Sequence, residues 1–107
     1  MTFSIADTLP SRGQAQQEGM AVANRPAQEV VNQFLSRLRS TARWLSDKFL
    51  VAPRSPAELR MAQALLRYLC ESRSYCMKPT ATAEELIRRQ DKIDRAVLRL
   101  WRARLGR

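Results

Sequence analysis

The sequence predicts an all-α protein: a small antiparallel three-helix bundle, running up-down-up, preceded by a flexible N-terminal arm. Three observations support this fold class. Apolar residues recur at steps of three and four in three successive segments, as they do along the buried face of a helix. Proline-containing joints separate these segments. No segment alternates between apolar and polar residues as a half-buried strand does.

The first 25 residues predict the arm. Residues 1–25 are rich in Ser, Thr, Gln, Gly and Ala and show no lasting apolar period, a composition typical of flexible chain. Starts of this kind also serve as uncleaved leaders for specialised bacterial export machines, which is an alternative to a frayed terminus. Residues 26–107 form the predicted helical domain.

The first helix is predicted over about residues 26–51. Pro26 suits a first helical turn, and Pro53 follows the last apolar residues. Its apolar seam consists of Ala27, Val31, Phe34, Leu38, Ala42, Leu45 and Phe49.

The second and third helices both begin at capping boxes. Ser55 precedes Glu58 by three residues, and Thr82 precedes Glu85 by three. The predicted helices span residues 56–76 and 83–105. The seam of the third is Leu86, Ile93, Val97 and Leu100, widened late by Leu98, Trp101 and Leu105.

The second helix is apolar on two sides. One face carries Leu59, Ala62, Leu66, Leu69 and Cys70, and roughly opposite lie Met61, Tyr68 and Tyr75. A helix that is apolar almost all round is usually central in a bundle. Alternatively, Met61, Tyr68 and Tyr75 form an exposed stripe that binds a partner protein or a second copy.

Trp44 lies off the main seam of the first helix and shares its side with Arg37, Thr41 and Lys48. An indole among cations suits a protein contact or a stacked base. The other interpretation is that Trp44 packs on the third helix.

The chain carries a net charge of +9, from 19 Lys and Arg against 10 Asp and Glu. Five cations form a stripe along the third helix, at positions 88, 92, 95, 99 and 102. Acids at i−4 neutralise its first half. No acid follows Asp94, so the sequence predicts an unpaired basic patch for an anionic partner, comprising Arg95, Arg99, Arg102, Arg104 and Arg107. Because Arg104 lies on the seam side, we expect the helix end to project beyond the bundle.

No catalytic or ligand-binding motif is present. The chain has no histidine and no Gly-rich phosphate loop, so we expect no enzyme, metal, cofactor or small-molecule substrate. Cys70 and Cys76 are too far apart along one helix for a disulfide and are expected to be small core residues. Free thiols favour the cytoplasm.

These observations predict a non-enzymatic, basic protein-interaction module: an adaptor, a regulator or a secretion-system component. It binds a protein partner or a second copy through the second helix and the C-terminal basic patch. The alternative is a sequence-tolerant nucleic-acid-binding protein that places its arginines on phosphates. Attachment to a membrane surface is disfavoured, because both amphipathic seams are needed for the core.

Overall fold

The computed structural model describes residues 25–106. Helix α1 spans Gln28–Leu45 and continues into a π-helical turn, Ser46–Leu50; α2 spans Pro56–Cys76, and α3 spans Ala83–Leu105. Within the described range there are three helices and no strand, which confirms the predicted fold class. Residues 1–24 of the predicted arm lie outside the described range.

Side chains fix the starts of α2 and α3. Ser55 Oγ accepts a hydrogen bond from Glu58 N at 3.1 Å, and Thr82 Oγ1 accepts one from Glu85 N at 3.2 Å. Each bond satisfies one of the free N–H groups of a first helical turn. Ser55 and Thr82 are therefore confirmed as capping residues. The return bond of a capping box is made at neither site, because Glu58 accepts from Arg54 N and Thr82 N donates to the Tyr75 hydroxyl.

The core lies along α2, against which both other helices pack. Five residues of the predicted α1 seam are buried: Val31, Phe34, Leu38, Leu45 and Phe49. Ala42 is half-buried, whereas Ala27, just before the helix, is exposed. The buried seam of α3 is narrower than expected: Leu86, Ile93 and Leu100 are buried, whereas Leu98, Trp101 and Leu105 are 45%, 40% and 66% exposed.

The two apolar faces predicted for α2 are the two sides of a single buried stripe, which itself includes Ala62 and Leu69 of the first face. The buried residues of α2 recur at steps of three and four: Glu58, Ala62, Leu65, Leu69, Ser72 and Cys76. On a helical projection this stripe runs between the two predicted faces. Leu59 and Leu66 are half-buried on one shoulder, and Met61 and Tyr68 on the other. Two polar residues in the middle of the stripe conceal it in the sequence.

Glu58 joins three parts of the chain at one end of the bundle. Its carboxylate accepts hydrogen bonds from Arg54 N at 2.8 Å and from the Arg104 guanidinium, whose Nε lies 3.2 Å from Oε2. The hydrogen bonds from Arg104 hold the pKa of Glu58 below its ordinary value. Arg104 also lies over the ring of Phe49, 4.3 Å from its centroid.

This geometry corrects the prediction for Arg104. We expected an unpaired cation on a projecting helix end, but the side chain is 15% exposed and pairs with a carboxylate that is 7% exposed. The acid is 46 residues away in the sequence, so no local pattern indicates it.

A second polar bridge lies near the other end of the α2–α3 contact. Arg89 Nη1 donates to Ser72 Oγ at 3.0 Å, and Arg89 Nε donates to Glu85 at 3.0 Å. Together with the Glu58–Arg104 pair, this bridge joins opposite ends of the two helices. It confirms that α2 and α3 are antiparallel.

The two cysteines differ in their surroundings. Cys76 is fully buried, and desolvation raises the pKa of its thiol. Cys70 is exposed, so the prediction that it is a core residue is wrong: its position lies beyond the shoulder of the buried stripe. Among residues 25–106, no helix is long and apolar enough to cross a bilayer.

Candidate interaction site

A groove of about 300 Å³ lies between α2 and α3. We name it the α2–α3 groove. It is lined by Met61, Ala64, Leu65, Tyr68, Lys92, Ala96, Arg99 and Leu100. Leu65 and Leu100 form its buried floor, whereas Ala64 is exposed at its opening.

Two cations stand at the rim of this groove. Lys92 and Arg99 are seven residues apart on α3, and both are exposed. Lys92 Nζ lies 4.8 Å from the centroid of the Tyr68 ring, in cation–π range. The lining is therefore an apolar trough with positive charge along one side.

Residues from both predicted sites meet in this groove. Met61 and Tyr68 belong to the predicted protein-binding stripe, and Arg99 belongs to the predicted basic patch. Met61 and Tyr68 lie on α2 and Arg99 lies on α3, so their proximity follows from the antiparallel packing of the two helices. Met61 and Tyr68 are half-buried and also pack against the core.

Tyr75, the third member of the predicted stripe, has a different environment. Its hydroxyl accepts a hydrogen bond from Thr82 N at 3.0 Å, and the guanidinium of Arg89 lies 4.7 Å from its ring centroid. These contacts tie the end of α2 to the start of α3. They give Tyr75 a structural role in this joint.

Trp44 packs on the third helix. Its ring centroid lies 6.2 Å from that of Trp101 and 5.0 Å from that of Phe49, with tilted ring planes. Trp44 is half-buried. The packing interpretation is therefore confirmed, and the indole lies apart from the α2–α3 groove.

The remaining members of the basic patch differ in whether a carboxylate forms an ion pair with them. Arg95 forms an ion pair with Asp91 on the same helix. Arg99 and Arg102 are exposed, and no carboxylate of residues 25–106 lies within ion-pair distance of either. Arg107 lies outside the described residues. Among the four members of the patch that the structure describes, the accessible and unneutralised ones are thus Arg99 and Arg102.

Of the eight groove residues, the sequence pattern assigns only Met61, Tyr68 and Arg99 to a binding site. It places Lys92 in the neutralised half of the basic stripe and gives Leu65 and Ala96 no role on this surface. Small side chains between Tyr68 and Arg99 leave the space that larger ones would fill. The signal that could have indicated the groove is the pair of cations seven residues apart on α3, Lys92 and Arg99, with Ala96 between them and Ala64 on α2.

The arrangement is suited to binding. Its polar groups are cations and a phenol, which can hold an anionic group over an apolar surface. Comparison with protein-family models, curated proteins and solved structures finds no match to this chain.

Proposed function

We propose that this protein is a non-enzymatic interaction module, an adaptor or regulator, which binds an acidic, amphipathic segment of a partner protein in the α2–α3 groove. The observation that carries the proposal is the apolar trough flanked by Lys92 and Arg99. Binding in the cytoplasm is favoured by the free thiols of Cys70 and Cys76.

The shape and charge of the groove support a helical or extended peptide as the ligand. An apolar side chain would enter beside Met61 and Tyr68, since partly buried aromatic and Met residues are common anchors in interfaces. Carboxylates one or two helical turns along the ligand would then meet Lys92 and Arg99. The net charge of +9 would also speed the approach of an acidic partner.

Photocrosslinking in extracts of the source cells tests this proposal. A benzophenone amino acid replaces Ala64, which is exposed at the groove, or Gln63, which is exposed on another side of α2. We expect a discrete covalent adduct from position 64 and none of that mass from position 63. Equal adducts from both positions would contradict the proposal.

Charge reversal supplies the second control. Lys92→Glu with Arg99→Glu should abolish the adduct, because two carboxylates would then face an acidic ligand. Arg60→Glu with Arg67→Glu changes the net charge equally on the exposed side of α2. This matched variant should retain the adduct. If both variants behave alike, the effect comes from overall charge and the groove is not the site.

The second candidate is sequence-tolerant nucleic-acid binding. It is favoured by the exposed Arg99 and Arg102, which have no acid partner among the described residues. With Arg95 as a third phosphate contact, the slope of log affinity against log salt should be about −2.7 for duplex DNA. The sequence predicts five contacts, but Arg104 is held by Glu58 and Arg107 lies outside the described residues.

Fluorescence anisotropy with labelled duplex DNA at several salt concentrations tests this candidate. Arg99→Glu with Arg102→Glu should weaken binding strongly, and Arg60→Glu with Arg67→Glu should weaken it less. Absence of binding at low salt would exclude the nucleic-acid function.

A further inference from the structure

A second surface of the molecule is apolar and lies outside the α2–α3 groove. Ile87, Leu98, Trp101 and Leu105 on α3 are 70%, 45%, 40% and 66% exposed. Together with Asp91 and Asp94, these residues recur at alternating steps of four and three, so that all six lie along one side of α3. We name these six residues the α3 strip. Val30 of α1, 43% exposed, lies beside its start and shares a groove of about 330 Å³ with Ile87.

We infer that the α3 strip is a self-association surface, on which α3 of a second copy packs antiparallel. The first argument is the spacing. Ile87, Asp94 and Trp101 are seven residues apart, as are Asp91, Leu98 and Leu105. Such a repeat forms the seam of a two-helix coiled coil.

The second argument is charge. Residues 83–94 of α3 hold four carboxylates against three cations, whereas residues 95–106 hold no carboxylate and four arginines, of which Arg104 is already paired with Glu58. An antiparallel pair therefore places the acidic half of each helix against the basic half of the other. A parallel pair would place basic half on basic half.

The antiparallel arrangement is also self-complementary. When Ile87 of one copy lies opposite Leu105 of the other, Asp94 lies opposite Leu98, and Asp91 lies opposite Trp101 and beside Arg102. A two-fold axis near residue 96 generates every contact twice, as an isologous dimer requires. Asp91, which pairs with Arg95 on its own helix, gains Arg102 of the second copy as a further partner.

The available area is sufficient for a stable dimer. The 23 residues of α3 make a helix about 35 Å long, and with α1 beside it the face is about 20 Å wide. That is roughly 700 Å² for each copy, close to the roughly 800 Å² of a standard interface. The α2–α3 groove remains open in this dimer, so the inference is independent of the proposed function.

Sedimentation equilibrium of the purified chain, at near-physiological ionic strength, tests this inference. We expect the wild type to be a dimer at micromolar concentrations. Leu98→Ser should raise the dissociation constant of the dimer about thirtyfold, because both copies carry the substitution and the apolar contact is lost twice. Met77→Ser removes an exposed apolar side chain from the end of α2 and should leave the dimer unchanged.

A charge exchange then tests the antiparallel register. Asp91→Arg and Arg102→Asp should each weaken the dimer about tenfold or more, and the double variant should restore it. Circular dichroism of each variant checks that the bundle is folded. A wild-type chain that is monomeric throughout the micromolar range would overturn the inference. A dimer that is unaffected by Leu98→Ser, or that the double exchange does not restore, would also overturn it.

Discussion

Replacing Tyr75 with Phe should destabilise the bundle, whereas the same replacement at Tyr68 should not. The two residues lie seven positions apart on α2, and both are half-buried. Only the Tyr75 hydroxyl accepts a backbone hydrogen bond, from Thr82 N at 3.0 Å. Tyr75→Phe removes that acceptor at the residue that caps α3 and leaves the donor in a partly buried position.

The loss should be close to the net value of one hydrogen bond, about 1 kcal/mol of the free energy of unfolding. For a domain of this size, that lowers the melting temperature by about 4–8 °C. Tyr68→Phe removes a hydroxyl at the groove and should change the free energy of unfolding by less than about 0.5 kcal/mol. Urea titrations followed by circular dichroism at 222 nm measure both. If the two variants lower the free energy of unfolding equally, it is wrong that the Tyr75 hydroxyl stabilises the joint between α2 and α3 while the Tyr68 hydroxyl does not.

Three further predictions concern the caps, the thiols and the buried carboxylate. Ser55→Ala and Thr82→Ala should each lower the free energy of unfolding by about 1 kcal/mol in the same urea assay. A maleimide should modify Cys70 in the native protein and Cys76 only after unfolding, as mass spectrometry of peptides would show, because Cys76 is buried and its pKa is raised. The lowered pKa of Glu58 stabilises the fold above the carboxyl pKa of the unfolded chain, and this stabilisation is lost as the pH falls through the folded pKa. Thermal melts between neutral and acidic pH should therefore show a steeper loss for the wild type than for Glu58→Gln.

Local patterns were sufficient to predict the helices. The capping boxes at Ser55 and Thr82 placed the starts of α2 and α3, since a side chain that bonds its own first turn depends on neighbours in the sequence alone. The α1 seam was predicted for the same reason: a period of three and four residues directly describes which side of a helix is buried.

Contacts between helices were not predictable in the same way. The buried stripe of α2 contains Glu58 and Ser72, so its apolar pattern was split into two apparent faces. Each of these residues is satisfied by an arginine of α3, at a separation of 46 residues for Glu58 and 17 for Ser72. Arg104 and Arg89 therefore appear in the sequence as surface cations.

In the candidate site too, individual residues were predictable from the sequence, whereas the contacts between helices were not. Tyr68 and Arg99 were predicted to bind partners, but their proximity depends on the register between α2 and α3. The exposure of Leu98 and Trp101 is not predicted from the sequence, because both directly follow a seam residue and so appear to widen the seam. A helix at the edge of a three-helix layer has less neighbouring surface than its apolar residues could cover.

The proposed function depends on the binding of acidic, amphipathic ligands in the α2–α3 groove. This binding is tested by a nuclear magnetic resonance titration of the isotope-labelled chain. The ligand is a synthetic amphipathic helical peptide whose heptad repeat places Leu on one face and Glu on the other. We expect the largest amide shift changes at Ala64, Tyr68, Lys92, Ala96 and Arg99, and we expect them to vanish in the Lys92→Glu, Arg99→Glu variant. Shift changes confined to the α3 strip, or no changes at a large excess of peptide, would contradict it.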